Sequence, residues 1–192
     1  PIFEGLIAKV GNPEWDVKKG KRMNHRTLGR TGYRVSEIGF GCWQMGGNMW
    51  GPIDEDEAIR ALHAGFDLGI NFLDTALVYG NGRSESILRR FLSELGPERS
   101  SRIVLSSKIP PKNREWPARD STAVAEAFPP AHIRTCVDES LKNLGVERIH
   151  VMHLHVWAGA WADDSSCGWH EAMRRLVKEG KIGHVAISLN AH

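Results

Sequence analysis

Five short apolar runs, beginning near residues 38, 71, 103, 150 and 185 and separated by stretches of helical periodicity, constrain this chain more than any other feature. The step between them is roughly 30 to 50 residues, the length of a strand, a crossover helix and the next strand, and it predicts a parallel sheet built from βαβ units. The intervening stretches carry helix punctuation. Asp54-Glu55-Asp56-Glu57 opens a helix, with Asp54 as N-cap and Glu57 at the capping-box position, and Ile59, Leu62 and Phe66 form its core face. A second helix runs from about Ser84 with Ile87, Leu88, Phe91, Leu92 and Leu95 on one side and is expected to stop at Gly96-Pro97. A third carries Ile133, Val137, Leu141 and Leu144 and ends at Gly145; a fourth carries Trp169, Ala172, Met173, Leu176 and Val177 and ends at Gly180. Ahead of this alternation, Thr27 to Ser36 reads as a small hairpin around a glycine-containing turn.

Polar residues collect where these runs stop. Asp74 ends Asn71-Phe72-Leu73, Tyr79 lies five residues on, Lys108 follows Ile103-Val104-Leu105-Ser106-Ser107, and His155 closes Val151-Met152-His153-Leu154. Side chains gathered from the C-terminal ends of several strands are the habit of a β/α barrel. An open doubly wound sheet would place a phosphate loop early, and Gly39-Phe40-Gly41 and Gly46-Gly47 lack the remaining positions of such a loop. The expectation is therefore a (β/α)8 TIM barrel, of which about five βα units are present, preceded by the hairpin. Residues 1–22 form an N-terminal extension and residues 23–192 the partial barrel domain. The fifth strand is expected to begin at Val185-Ala186-Ile187, and the proline-rich loop Pro110 to Pro130 is expected to shape a binding site.

Composition removes several function classes. The 192 residues are 41% hydrophobic, enough to bury one core, and a net charge of +2 offers no basic stripe for nucleic acid or anionic lipid. Three scattered cysteines, Cys42, Cys136 and Cys167, form no disulfide framework. No apolar stretch approaches the roughly 20 residues that span a bilayer, and residues 1–10 lack a signal-peptide core. The reading is a cytoplasmic protein whose partner is a small molecule. His150, His153 and His155 raise a metal site, since 153 and 155 share a face of a strand; the expectation is none, because no carboxylate or cysteine is close in sequence and His153 can pack inside a barrel.

The strand-end residues suit an enzyme that protonates a carbonyl oxygen. A free tyrosine, with a pKa of about 10, is a poor acid at neutral pH. A lysine ammonium bonded to a phenol favours release of its proton, a carboxylate keeps that lysine charged, and a histidine can donate to the carbonyl oxygen. Taken alone, Asp74 and Lys108 are equally a structural ion pair. Trp43, Trp157 and Trp161 follow strand ends and can line a pocket or simply pack.

The residues Phe72-Leu73-Asp74-Thr75-Ala76-x-x-Tyr79-Gly80, Ser106-Ser107-Lys108 and Leu154-His155 resemble the aldo-keto reductases, and Gly82-Arg83-Ser84-Glu85 is similar to the usual opening of their second helix. The likeness runs from about Thr27 to His192. It implies a barrel enzyme that reduces aldehydes or ketones with a nicotinamide cofactor, usually NADPH, with NADH open. The implied tetrad is Asp74, Tyr79, Lys108 and His155, with Tyr79 as general acid. Cofactor contacts are implied at Gly41, Trp43, Asp74, Ser188 and Asn190, although Leu189 stands where the family's asparagine is familiar, and substrate contacts at Trp43 and Trp157. Most pyrophosphate and 2'-phosphate contacts belong to later units of such a barrel, so the chain is expected to be a partial sequence. The alternative is a noncatalytic binding or regulatory module, since some family members are channel subunits.

Overall fold

The computed structural model describes residues 23–47, 51–162, 164 and 167–189. The extension 1–22 and Asn190 lie outside the described residues. Strands β1 (His25–Thr27) and β2 (Arg34–Ser36) pair antiparallel as the expected hairpin. The main sheet has five parallel strands in the order β3 (Phe40–Gly41), β4 (Phe72–Asp74), β5 (Val104–Ile109), β6 (Ile149–Leu154) and β7 (Ile182–Ile187). Sequential neighbours in chain order are neighbours in space, as in a barrel, and the arc accounts for five barrel strands. Among the described residues β3 and β7 are its edges.

Each crossover is a helix that buries one face. In α1 (Glu55–Asp67) the Asp54 carboxylate accepts the Glu57 amide at 3.0 Å, and Ile59 and Leu62 are buried. Such a cap is worth about 1 kcal/mol, and each buried aliphatic side chain roughly 1.5–3 kcal/mol. In α2 (Arg83–Ser100) Ile87, Leu88, Phe91 and Leu95 are buried. The expected stop at Gly96-Pro97 is a kink instead: Gly96 leaves helical geometry at φ 73°, and Pro97, whose fixed φ suits a first helical position, starts one further turn to Ser100. The long loop after β5 contains a short helix, α3 (Val124–Ala127), and α4 (Pro130–Leu144) ends at Gly145 in the left-handed conformation. The last helix is α5 (Trp169–Lys178).

Two strand boundaries differ from the sequence reading. The fifth barrel strand, β7, begins at Ile182 and ends at Ile187, whereas Val185 was its expected start. Gly183 hid the beginning, because it carries no side chain to mark a face; Tyr33 and the His150 carbonyl lie where its Cβ would be. The first barrel strand is only Phe40–Gly41, and Ile38 is exposed ahead of it.

The hairpin covers the N-terminal end of the sheet. Asn71, just before β4, accepts from the Ser36 amide at 2.7 Å and donates to the carbonyls of Arg34 and Arg102 at 3.0 and 3.1 Å. Tyr33 lies edge-on to His150 and His184, with ring centroids 5.1 and 5.3 Å away. The opposite end, where the strands finish, holds the polar cluster.

Candidate active site

β4 and β5 run in register, Asp74 beside Ser106, so a residue two further along β5 projects from the same face just beyond Asp74. That residue is Lys108. Its Nζ donates to Asp74 Oδ2 at 2.6 Å and to the Thr75 carbonyl at 2.8 Å, and reaches Tyr79 Oη at 3.4 Å. The lysine side chain is 9% exposed against 37% for the aspartate, so the ammonium is enclosed while the carboxylate borders solvent. Lys108 lies within β5 rather than after it, because the strand continues to Ile109.

Tyr79 is placed by a turn that leaves β4. Its phenol ring is 5.6 Å from His155, edge-on, and 6.2 Å from Trp43, whose indole is tilted by 34°. The turn is fixed backbone to backbone. Gly46, in a 3-10 turn after β3, approaches so closely that a Cβ on it would lie 2.7 Å from the Gly80 nitrogen and 2.8 Å from the Tyr79 carbonyl carbon; Gly80 has φ +64°. Under this turn the Ser84 hydroxyl, fully buried, donates to the Cys42 carbonyl at 2.8 Å and lies 2.9 Å from Thr75 Oγ1.

His155 follows β6, its amide donating to the Ile109 carbonyl. Its ring is 4.7 Å from that of Trp116 and perpendicular to it. Burial in the first place, and Lys108 in the second, pull its pKa down to about 3, so it is a neutral imidazole at neutral pH. Its Nδ1 is buried without a hydrogen-bond partner.

Other residues singled out in the sequence fall as follows. Gly41 ends β3 opposite Asp74, and the next amide, of Cys42, donates to the Asp74 carbonyl. Ser188, just past β7, donates its amide to the Leu154 carbonyl, which sets it beside His155; its hydroxyl makes no hydrogen bond among the described residues. Trp43 is at the mouth, 45% exposed. Trp157 packs edge-on against Trp161 and Trp169 at 5.7 and 5.3 Å, and Trp161 donates to the Thr122 carbonyl. Neither indole makes a ring contact with Tyr79 or His155. Among the described residues no three histidine, cysteine or acidic side chains are grouped to hold a metal ion.

Three contributors received no role of their own in the sequence reading. Trp116, 42% exposed beside His155, comes from the proline-rich loop, and only folding reveals its position. Ser106 donates to Asp74 Oδ1 at 2.9 Å; the period-2 rule would have found it, since 106 and 108 share a face. Glu85, fully buried, accepts from Ser107 at 2.8 Å and Asn143 at 3.0 Å, tying the start of α2 to β5 and α4; burial raises its pKa.

The model of the aldo/keto reductase family matches residues 37–192. The chain belongs to that family. This aldo/keto reductase chain is 32% identical over 167 residues to L-galactose dehydrogenase of Arabidopsis thaliana, covering 87% of the chain and 49% of the relative. It is 36% identical over 135 residues to a probable voltage-gated potassium channel subunit beta of the same plant, covering 69% and 37%. Among solved structures it matches aldo-keto reductase AKR11C1 from Bacillus halodurans, in its holo form, with a TM-score of 0.67 at 30% identity, over 88% of this chain and 51% of that one. An aldo-keto reductase from Klebsiella pneumoniae in complex with NADPH matches with a TM-score of 0.59 at 28% identity, over 80% and 45%. The chain spans about half the length of the relatives it matches.

Proposed function

We propose that this chain carries the proton-transfer half of a reductase site that converts aldehyde or ketone carbonyls to alcohols with NADPH or NADH. The observation that carries the reading is Lys108 Nζ, held at 2.6 Å by Asp74 while reaching Tyr79 Oη at 3.4 Å, with a neutral His155 alongside. A nicotinamide cofactor would supply the hydride, and the NADPH of the Klebsiella pneumoniae relative supports that choice. The donor set fits its carboxamide end: the Ser188 hydroxyl makes no hydrogen bond among the described residues and lies beside His155, Gly41 is paired with Asp74, Trp43 stands by Tyr79, and Asn190 follows Ser188 two residues on in sequence.

Tyr79 Oη–H then donates its proton to the carbonyl oxygen as negative charge grows there, and the phenolate left behind is stabilised by the Lys108 ammonium. Asp74 aims that ammonium. His155 with its proton on Nε2 donates a second hydrogen bond to the same oxygen, and a bare Nδ1 is the cheaper of the two ring atoms to leave unpartnered in the interior. The exposed indoles of Trp43 and Trp116 wall the approach and exclude water from the reacting atoms.

A second reading, a noncatalytic binding or regulatory module, is favoured by the similarity to the potassium channel subunit. One assay separates the two: aldehyde-dependent oxidation of NADPH, with NADH in parallel, by the purified chain and by Tyr79→Phe. Turnover that requires Tyr79 supports the reductase. Cofactor binding without turnover supports the module, and equal turnover by Tyr79→Phe removes Tyr79 from the acid role.

A further inference from the structure

The Asp74 carboxylate is held on both oxygens. Lys108 takes Oδ2; Oδ1 lies 2.9 Å from Ser106 Oγ, which lies in turn 3.0 Å from His153 Nε2. Ser106 is fully buried, so no solvent stands in for a missing partner. A carboxylate oxygen and a hydroxyl oxygen at 2.9 Å, deep in a protein, need a proton between them, and the single hydroxyl proton of Ser106 is spent there. The contact with His153 must then be donated by the imidazole, which puts the neutral ring's proton on Nε2 and leaves Nδ1 bare. His153 Nδ1 is buried without a hydrogen bond of normal geometry, although the Ile187 backbone lies near enough to act on the ring, and an orphaned N–H there costs more than a lone pair.

We propose that Ser106 and His153 are positioning residues, forming a one-way hydrogen-bond chain from His153 Nε2–H through Ser106 Oγ–H to Asp74 Oδ1 that fixes the carboxylate and, through it, Lys108. The proposal deepens the reductase reading and rests on it for its kinetic part. With one oxygen free, the carboxylate rotates about its Cβ–Cγ bond and Lys108 Nζ drifts from Tyr79. With both held, the ammonium stays on the line between Asp74 and the phenol. β5 supplies Ser106 and Lys108 from one face, while β6 supplies His153 and the residue just past its end is His155, so two adjacent strands each lead to one reacting and one supporting side chain. Burial holds the His153 pKa below its ordinary value; Asp74 and a hydrogen bond to the Ile187 backbone oppose that, and Lys108 adds to it.

Two measurements on the full chain test the proposal. Nitrogen-15 correlation spectra of histidine-labelled protein, with His153 assigned by its loss in His153→Gln, are expected to show the Nε2–H tautomer, and to shift towards a mixture in Ser106→Ala. An Nδ1–H tautomer overturns the wiring. In the carbonyl reductase assay, Ser106→Ala and His153→Leu are expected to lower kcat by between about tenfold and a hundredfold with KM within about twofold, the scale of a small misplacement of reacting groups. His153→Gln, which keeps an N–H donor at similar reach, is expected to recover most of kcat. A His153→Leu protein with unchanged kcat, or a Gln variant no better than Leu, overturns the positioning role. Wild-type protein without any turnover counts against the reductase reading alone, and the tautomer still decides the wiring.

Discussion

At each end of the parallel strands a tyrosine stands edge-on to a histidine: Tyr33 and His150 at the N-terminal end, 5.1 Å apart at 80°, and Tyr79 and His155 at the C-terminal end, 5.6 Å apart at 74°. The ring geometry is nearly the same and the surroundings are not. His150 Nδ1 is committed to the Leu105 amide at 3.1 Å, and the Tyr33 hydroxyl is wedged against Gly183. Tyr79 has an ammonium at 3.4 Å, 5.0 Å from its ring centre, and an exposed indole on either side of the pair. An aromatic pair becomes a candidate for chemistry only where a charge is aimed at it and a substrate can arrive.

The contrast is open to direct attack. The largest effect is expected from Tyr79→Phe, which should lower carbonyl reduction by about a thousandfold, the size of a general-acid contribution, with little change in melting temperature. Tyr33→Phe in the same assay should leave turnover intact. Equal losses would erase the distinction between the two ends.

Acid titration sharpens the comparison. His155 has a folded pKa of about 3 against 6.5 when free, so between those values the unfolded chain binds the extra proton and stability falls as pH is lowered through the window. The loss amounts to about 3–5 kcal/mol by pH 3. His150 is lowered too, by burial first and Arg148 second, and acts in the same sense. Glu85, raised by burial, acts in the opposite sense: the folded chain holds its proton longer, and the stability this gives is lost as pH rises through its folded value. Urea midpoints across pH are expected to flatten more in His155→Gln than in His150→Gln.

A smaller effect is expected at the closed end, where Gly183→Ala places a Cβ 2.5 Å from the His150 carbonyl oxygen. Overpacking against backbone should cost about 2 kcal/mol, read as a lower urea midpoint, while turnover per folded molecule is unchanged. The smallest is Asp54→Ala, about 1 kcal/mol for the lost helix cap, with no effect at either end of the strands.

Residues with strong local chemistry were readable from the chain. Asp54 announces its helix because capping is a contact between near neighbours, and Asp74, Tyr79, Lys108 and His155 stand out because each breaks an apolar run at its end. Contacts that join distant segments were not readable. Trp116 reaches His155 across 39 residues of sequence that include a long loop and α4, and Glu85 reads as one acidic residue in a helix start until Asn143 and Ser107 close over it. Trp157 could line a pocket or pack when read from the chain alone, and its contacts with Trp161 and Trp169 come only with folding. The start of β7 was hidden because Gly183 interrupts the apolar alternation that marks a strand.

Gly46 and Gly80 touch through main-chain atoms alone, so the two positions are constrained together. A side chain at either position does the same damage, lifting the Tyr79 turn away from the end of β3, and neither substitution can be compensated at its partner, which has no atoms left to remove. In a library randomised across residues 43–47 and 79–82 and screened for turnover, these two positions should behave as a single fixed letter while Gln44 and Asn81 vary around them.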